Sequence, residues 1–182
     1  MNVTNSNLKQ TLVNHLRERA HVRNDFDESA AISDVYRTDE FSERQVDLLM
    51  HLHNRSQYET NLDEEWAFKQ VLKMPNITEN QDAVVRTIAN NARYENDFNE
   101  NSGVFEVLTH PSIGENQTRV LNHIAGSSRQ ENDFNEDWAF KAVAGSREFT
   151  ADKADELIGI HRNARYENGL DDDHIFYLAL SH

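Results

Sequence analysis

A 36-residue period runs through this chain without insertion or deletion, and it constrains the fold more tightly than any other feature. Asp25-Phe26-Asp27-Glu28 recurs as Asn61-Leu62-Asp63-Glu64, Asp97-Phe98-Asn99-Glu100, Asp133-Phe134-Asn135-Glu136 and Gly169-Leu170-Asp171-Asp172. A fixed period of this length marks one supersecondary unit copied in tandem, each copy too small to bury its own apolar faces. Units two and four share Trp-Ala-Phe-Lys (Trp66 to Lys69, Trp138 to Lys141), but units three and four are more alike overall, so the period is not doubled.

Each unit carries two helical stripes. Val13, Leu49, Val85, Leu121 and Leu157 are followed three residues on by Leu16, Leu52, Ile88, Ile124 and Ile160, then four further by Ala20, Ser56, Ala92, Ser128 and Ala164. Offsets of three and four share one face, and the small residue lets a neighbouring helix approach. This predicts a helix A of about four turns, with N-caps at Ser6, Ser42, Thr78, Gly114 and Thr150. Gln45, Gln81 and Gln117 stand at N3, where a capping box needs them. Phe41, Ile77, Ile113 and Phe149 precede the caps as apolar anchors, and the helix is expected to end near Asn24, Thr60, Asn96, Asn132 and Asn168.

Helix B, of about three turns, is expected to start from Asp27, Asp63, Asn99, Asn135 and Asp171 as N-caps. Acids in its first turn (Glu64, Glu65, Glu136, Asp137, Asp172, Asp173) complement the helix dipole. Its buried stripe reads Ala31, Ile32, Val35; Ala67, Phe68, Val71; Gly103, Val104, Val107; Ala139, Phe140, Val143; Ile175, Phe176, Ala179. The expected fold is all-α: one right-handed α-solenoid of five helix-turn-helix units at residues 7–42, 43–78, 79–114, 115–150 and 151–182, after a tail at 1–6. In plan this resembles tetratricopeptide and pentatricopeptide hairpin repeats. The Trp-Leu-Gly-Tyr signature of the tetratricopeptide first helix has no counterpart in Leu48-Leu49-Met50-His51-Leu52, so the likeness is one of TPR-like stacking alone.

Composition narrows the functions open to such a chain. Eighteen basic against thirty-two acidic side chains give a net charge of -14, which repels nucleic-acid backbones and anionic membranes. Without cysteine there is no disulfide, thiolate metal site or thiol nucleophile. No apolar run approaches a membrane span, and Met1 to Asn7 lack the order of a secretory signal, so a cytoplasmic location is expected.

The acidic corner Glu95-Asn96-Asp97-Phe98-Asn99-Glu100 has alternating oxygen ligands. A calcium loop needs twelve residues with Gly at the sixth and Glu at the twelfth, so caps around a Phe or Leu wedge explain the corner better. A calcium-stabilised repeat is therefore a third-ranked reading. The nine histidines suggest a metal site around His51 and His53 with His15 or His123, but residues two apart on a helix point away from each other. Surface histidines are expected, with no metal and no cofactor. Phosphate loops, nucleophile elbows and HExxH sequences are absent, and no insertion exists to carry an active site, so the protein is read as not an enzyme.

Function is expected where units differ within the common plan. A row on helix A away from the buried stripe does so, and its candidate partner-binding residues are His51, Asn54, Tyr58, Asn90, Tyr94, His123, Arg162 and Tyr166. The expected partner is a protein or peptide, basic by charge complementarity; the plainer alternative is a solvated face. Trp66 and Trp138 occupy positions held elsewhere by Ala30, Ser102 and His174, and are either interface anchors or covers for a seam. An acidic decoy that mimics nucleic-acid charge to occupy a DNA- or RNA-binding protein is the second-ranked function. Tyr177 and Leu178, apolar on the flank a next unit would cover, predict a homodimer through the last unit.

Overall fold

The structure is a computed structural model describing residues 4–20, 26–93, 98–128, 133–164 and 170–182. Among the described residues there are ten helices and no strand: α1 (Asn5–Glu18), α2 (Glu28–Arg37), α3 (Glu43–Arg55), α4 (Glu64–Leu72), α5 (Glu79–Asn91), α6 (Glu100–Thr109), α7 (Glu115–Ser127), α8 (Glu136–Gly145), α9 (Ala151–Ala164) and α10 (Asp172–Ser181). Odd-numbered helices are the A helices and even-numbered ones the B helices. Asp27, Asp63, Asn99, Asn135 and Asp171 cap the B helices as expected, each side chain accepting the amide N–H three residues on.

The A helices depart from expectation at both ends. α1 is capped by Thr4 rather than Ser6, because Thr4 Oγ1 accepts the Asn7 N–H. α3 stops at Arg55 with Ser56 as its cap, well before Thr60; α5 and α7 end on Ala92 and Ser128, whose ψ of 130° turns the chain out of the helix. Thr60 serves the next turn instead, its hydroxyl accepting the Leu62 N–H. The corresponding Asn24, Asn96, Asn132 and Asn168 lie outside the described residues.

Gln45, Gln81 and Gln117 do more than box a cap. Gln81 Oε1 accepts the Thr78 N–H while Thr78 Oγ1 accepts the Gln81 N–H, completing the box. At Gly114 only the first half can form, with Gln117 Oε1 accepting the glycine N–H at 2.9 Å. The other end of each side chain crosses to the C-terminus of the unit's B helix. Gln45 Nε2 donates to Val71 and Leu72 carbonyls, Gln81 Nε2 to Val107 and Leu108, and Gln117 Nε2 to Val143 and Ser146. At Gln81 and Gln117 one buried amide thus joins the start of the A helix to the end of the B helix, whereas Gln45 makes only the second of these links. In the first unit Lys9 stands at this position and donates to the Tyr36 carbonyl.

Helices of one unit pack on each other, each A helix packs on the next A helix, and each B helix on the next B helix. A helical bundle or a helical repeat produces such packing. The core is one continuous cluster, with Phe68, Phe140 and Phe176 among its largest fully buried side chains. Corner rings lock into it: Phe26 lies 5.4 Å from Phe68, Phe98 5.0 Å from Phe140, and Phe134 5.4 Å from Phe176. Such edge and tilted ring pairs contribute roughly 0.5–1.5 kcal/mol beyond area burial. Gly103 takes the place of Ala31, Ala67 and Ala139 because a methyl there would sit 2.6 Å from Phe98 Cζ.

A hydrogen bond with a constant reach of 38 residues ties successive corners together. The amide N–H of each cap donates to the second residue of the next B helix: Asp27 to Glu65, Asp63 to Asn101, Asn99 to Asp137 and Asn135 to Asp173, at 2.7–3.0 Å. Glu65, Asp137 and Asp173, expected to complement the helix dipole, are thus direct partners of the neighbouring unit, as is Asn101. The stripe fails at its last member, since Ile175 is exposed where Ala31, Ala67 and Ala139 are buried.

Candidate functional site

Of the expected partner-binding residues, His51, Asn54, Asn90, His123 and Arg162 lie on A helices, and the structure brings part of the row together. His15, Arg19, Asp47, Met50, His51, Asn54 and Arg86, from the α1, α3 and α5 region, line a shallow concavity of about 410 Å³. Arg19 Nη1 donates to Asn54 Oδ1 at 3.4 Å, and Asp82 pairs with Arg86 at 2.9 Å. The His51 pKa is lowered, first because burial penalises the imidazolium and then because Arg86 is close. The wall thus joins a neutral imidazole, a guanidinium, an amide and a carboxylate, a set suited to peptide-like polar groups.

The remaining candidates are spread along the row. Tyr58 lies just beyond α3, 52% exposed, with the Arg55 guanidinium 4.6 Å from its ring centre. Asn90 and Arg162 are exposed on α5 and α9. His123 is half-buried and sits edge-on to His161 at 5.1 Å, which turns it toward the adjoining A helix. Tyr94 and Tyr166 lie outside the described residues. Between α7 and α9 the row is bridged by Arg119 and Asp155.

Trp66 and Trp138 are both half-buried against the core. Trp138 lies 6.4 Å from Phe176 and 6.2 Å from Tyr177, both on the next B helix. Trp66 borders a corner concavity with Phe26, Tyr58 and Lys69. Tyr177 and Leu178 are 52% and 42% exposed.

The histidines are not all at the surface, which corrects the reading from sequence. His53 and His161 are fully buried, each between two units. His53 Nε2 lies 3.3 Å from Glu28 Oε1, with His15 and Phe26 rings at 5.2 and 4.9 Å. The arrangement is repeated between units four and five, where His161 Nε2 lies 3.7 Å from Glu136 Oε1, with His123 and Phe134 rings both at 5.1 Å. In both cases the carboxylate comes from the preceding B helix, 25 residues back, a separation with no signature within a single helix. The usable signal was the matched pair itself: His15 with His53, and His123 with His161.

Two other ionisable groups are set by their surroundings. Burial raises the Glu64 pKa, only partly countered by hydrogen bonds from its own backbone and from Thr60. At Glu65 burial pushes upward, but the Lys69 hydrogen bond, the Asp27 amide and the Lys69 charge outweigh it and lower the pKa. Among the described residues no group of three or more His, Asp or Glu side chains is placed to hold a metal ion, and no helix is long and apolar enough to cross a membrane. No protein-family model, curated protein or solved structure matches the chain.

Proposed function

We propose that the chain is a five-unit α-solenoid acting as a non-enzymatic, cytoplasmic scaffold that binds a protein or peptide on its helix A face. The observation that carries this reading is the concavity that gathers His51 and Asn54 of the row, with Asp47 of the same helix, against His15 of α1 and Arg86 of α5. Recurrence of the 38-residue cap bond and the Gln clamp supports stacking at constant geometry. A net charge of -14 attracts a basic partner over long range, and the mixed polar wall supplies local register. Tyr58, exposed and stacked on Arg55, offers an aromatic anchor at the edge.

Affinity capture from the native source compares the parent with a His51→Ala, Asn54→Ala, Tyr58→Ala variant. Loss of a specific, salt-sensitive partner is the expected result. Identical captured proteins for both chains would remove this face from consideration.

The decoy reading draws on the acids at the B helix starts. Those carboxylates are largely committed to the chain's own amides, as with Glu65 and Asp137, which makes them poor phosphate mimics. A calcium role meets the same objection at the corners, where Asn99 caps α6 and Glu100 is buried.

A further inference from the structure

At two seams a carboxylate at the first position of a B helix meets an imidazole 25 residues on: Glu28 with His53 at 3.3 Å, and Glu136 with His161 at 3.7 Å. The same count from Glu64 reaches Ala89, which is fully buried and offers no charge. Glu64 is nonetheless only 8% exposed, and burial raises its pKa. Its Oε1 accepts the Thr60 hydroxyl at 3.1 Å, a bond that Gln could accept without desolvating a charge. Among the described residues no cation forms an ion pair with Glu64. Lys69 is paired with Glu65, while Arg55 places its Nε on the Ala89 carbonyl at 3.0 Å and its guanidinium against the Tyr58 ring. A buried carboxylate kept where an amide would be more stable points to a use for its charge.

Glu64 lines the corner concavity of about 730 Å³ together with Phe26, Thr60, Tyr58, Glu59 and Trp66. Tyr58 is 52% exposed, Glu59 is exposed and Trp66 half-buried, so aromatic rings and carboxylates share one open depression. We propose that this concavity binds the guanidinium of an arginine side chain of a basic peptide, with Glu64 as counterion and Tyr58 and Trp66 as aromatic walls. The Tyr58 ring already carries one guanidinium, that of Arg55, at 4.6 Å. A guanidinium suits the set better than an ammonium because it is planar and weakly hydrated, and stacks on a ring while its N–H donors fork onto a carboxylate. The corner shares no lining residue with the concavity around His51 and gives the basic partner a second point of attachment.

The inference rests on the reading above for the peptide but not for the cation, so the test uses the cation alone. N-acetyl-arginine amide is titrated to about 50 mM, at constant ionic strength, into the 15N-labelled 182-residue chain. The indole N–H signals are followed, with a Trp138→Phe variant assigning that of Trp66. The expected result is a saturable shift of the Trp66 signal, about tenfold weaker in affinity for the neutral isostere N-acetyl-citrulline amide and about threefold weaker for N-acetyl-lysine amide. Glu64→Gln should weaken arginine binding about tenfold and melt no lower than the parent, and Tyr58→Leu about threefold. Equal affinity for the citrulline probe, or for the arginine probe in Glu64→Gln, overturns the proposal, and equal affinity for the lysine probe overturns the choice of guanidinium. Binding that survives Glu64→Gln but is lost in a His51→Ala, Asn54→Ala variant moves the cation to the helix A face and overturns the corner site alone. Should Glu64→Gln fail to fold, Tyr58→Leu, changed at an exposed ring, decides in the same way. Identical captured proteins in the earlier comparison, with this titration intact, overturn the earlier reading alone.

Discussion

The side-chain amide of Gln81 donates to the carbonyl of Val107, 26 residues downstream, at 2.9 Å, while its oxygen receives the amide of Thr78 at 3.0 Å. One fully buried side chain therefore holds the start of α5 to the end of α6. Gln81→Ala strands the Thr78 amide and takes a donor from the Leu108 and Val107 carbonyls, the latter keeping the His110 N–H, at a cost of about 2–4 kcal/mol in denaturant unfolding. Gln81→Glu keeps the acceptor but turns an anion toward the Val107 and Leu108 carbonyls. It should be the worse of the two at neutral pH and recover on acidification, because the buried carboxyl is then protonated and can donate again. Equal stability of Gln81→Glu and the parent at pH 7 would contradict the clamp.

Asp137 Oδ1 accepts the Asn99 N–H at 2.7 Å, and Asn101 does the same for Asp63. The bond therefore needs an acceptor and not a charge. Asp137→Asn should be neutral within a few tenths of a kcal/mol, and Asp137→Ala should lose about 1 kcal/mol in the same unfolding assay. A large loss for Asp137→Asn would assign the role to charge.

How much of this was legible in the sequence depends on whether a contact recurs. The period exposed the ten helices, the B-helix caps and the apolar stripes because each is local and copied in every unit. Ser6 was a misreading because Thr4 and Ser6 both suit a cap, and only packing chooses. Gln45, Gln81 and Gln117 were visible as a box, but their second reach spans 26 residues and has no local signature. His53 and His161 were hidden for another reason: the same position holds Arg17, Ala89 and Ala125 in the other units, so no apolar pattern marked it as core, and only the paired recurrence of His15 with His53 and His123 with His161 pointed to it. The helix A row was readable as a face, while the depression at His51 needed three adjoining units in place.

Burial of Glu64 raises its pKa, so the folded state binds a proton more tightly than the unfolded chain. Stability contributed through this group rises as pH falls through the carboxylate range and is lost as pH climbs above it. Glu64→Gln removes the desolvated charge and keeps an acceptor for Thr60. It should melt higher than the parent at pH 7, with the difference closing below pH 4. A difference that is constant across pH would show that the charge is not the cause.

The lowered pKa of His51 has the opposite consequence. Its folded state resists protonation, so the unfolded chain binds more protons below the ordinary value of 6.5 and stability falls as pH drops through that point. His51→Gln should flatten this part of the melting-temperature profile between pH 7 and 5. An unchanged slope would place the acid sensitivity elsewhere.

His161 and Glu136 are both buried across the seam between units four and five. His161→Leu leaves the Glu136 carboxylate without the imidazole beside it and should destabilise by about 2–4 kcal/mol. Adding Glu136→Gln should recover part of that loss, giving a coupling on the order of 1 kcal/mol in a double-mutant cycle. Strict additivity would mean that the two side chains merely share a location.

Stacking of five units along one axis is most directly tested by distances along the A helices. The chain has no cysteine, so spin labels go only where cysteines are introduced. Asn54 is paired in turn with Asn90, Gly126 and Arg162, equivalent positions on α3, α5, α7 and α9. With neighbouring helices about 8–10 Å apart, stacking predicts three separations rising by roughly that amount at each step. An Asn54 to Arg162 separation no longer than Asn54 to Asn90 would mean that the helices close into a bundle, and would contradict both the stack and the face it presents.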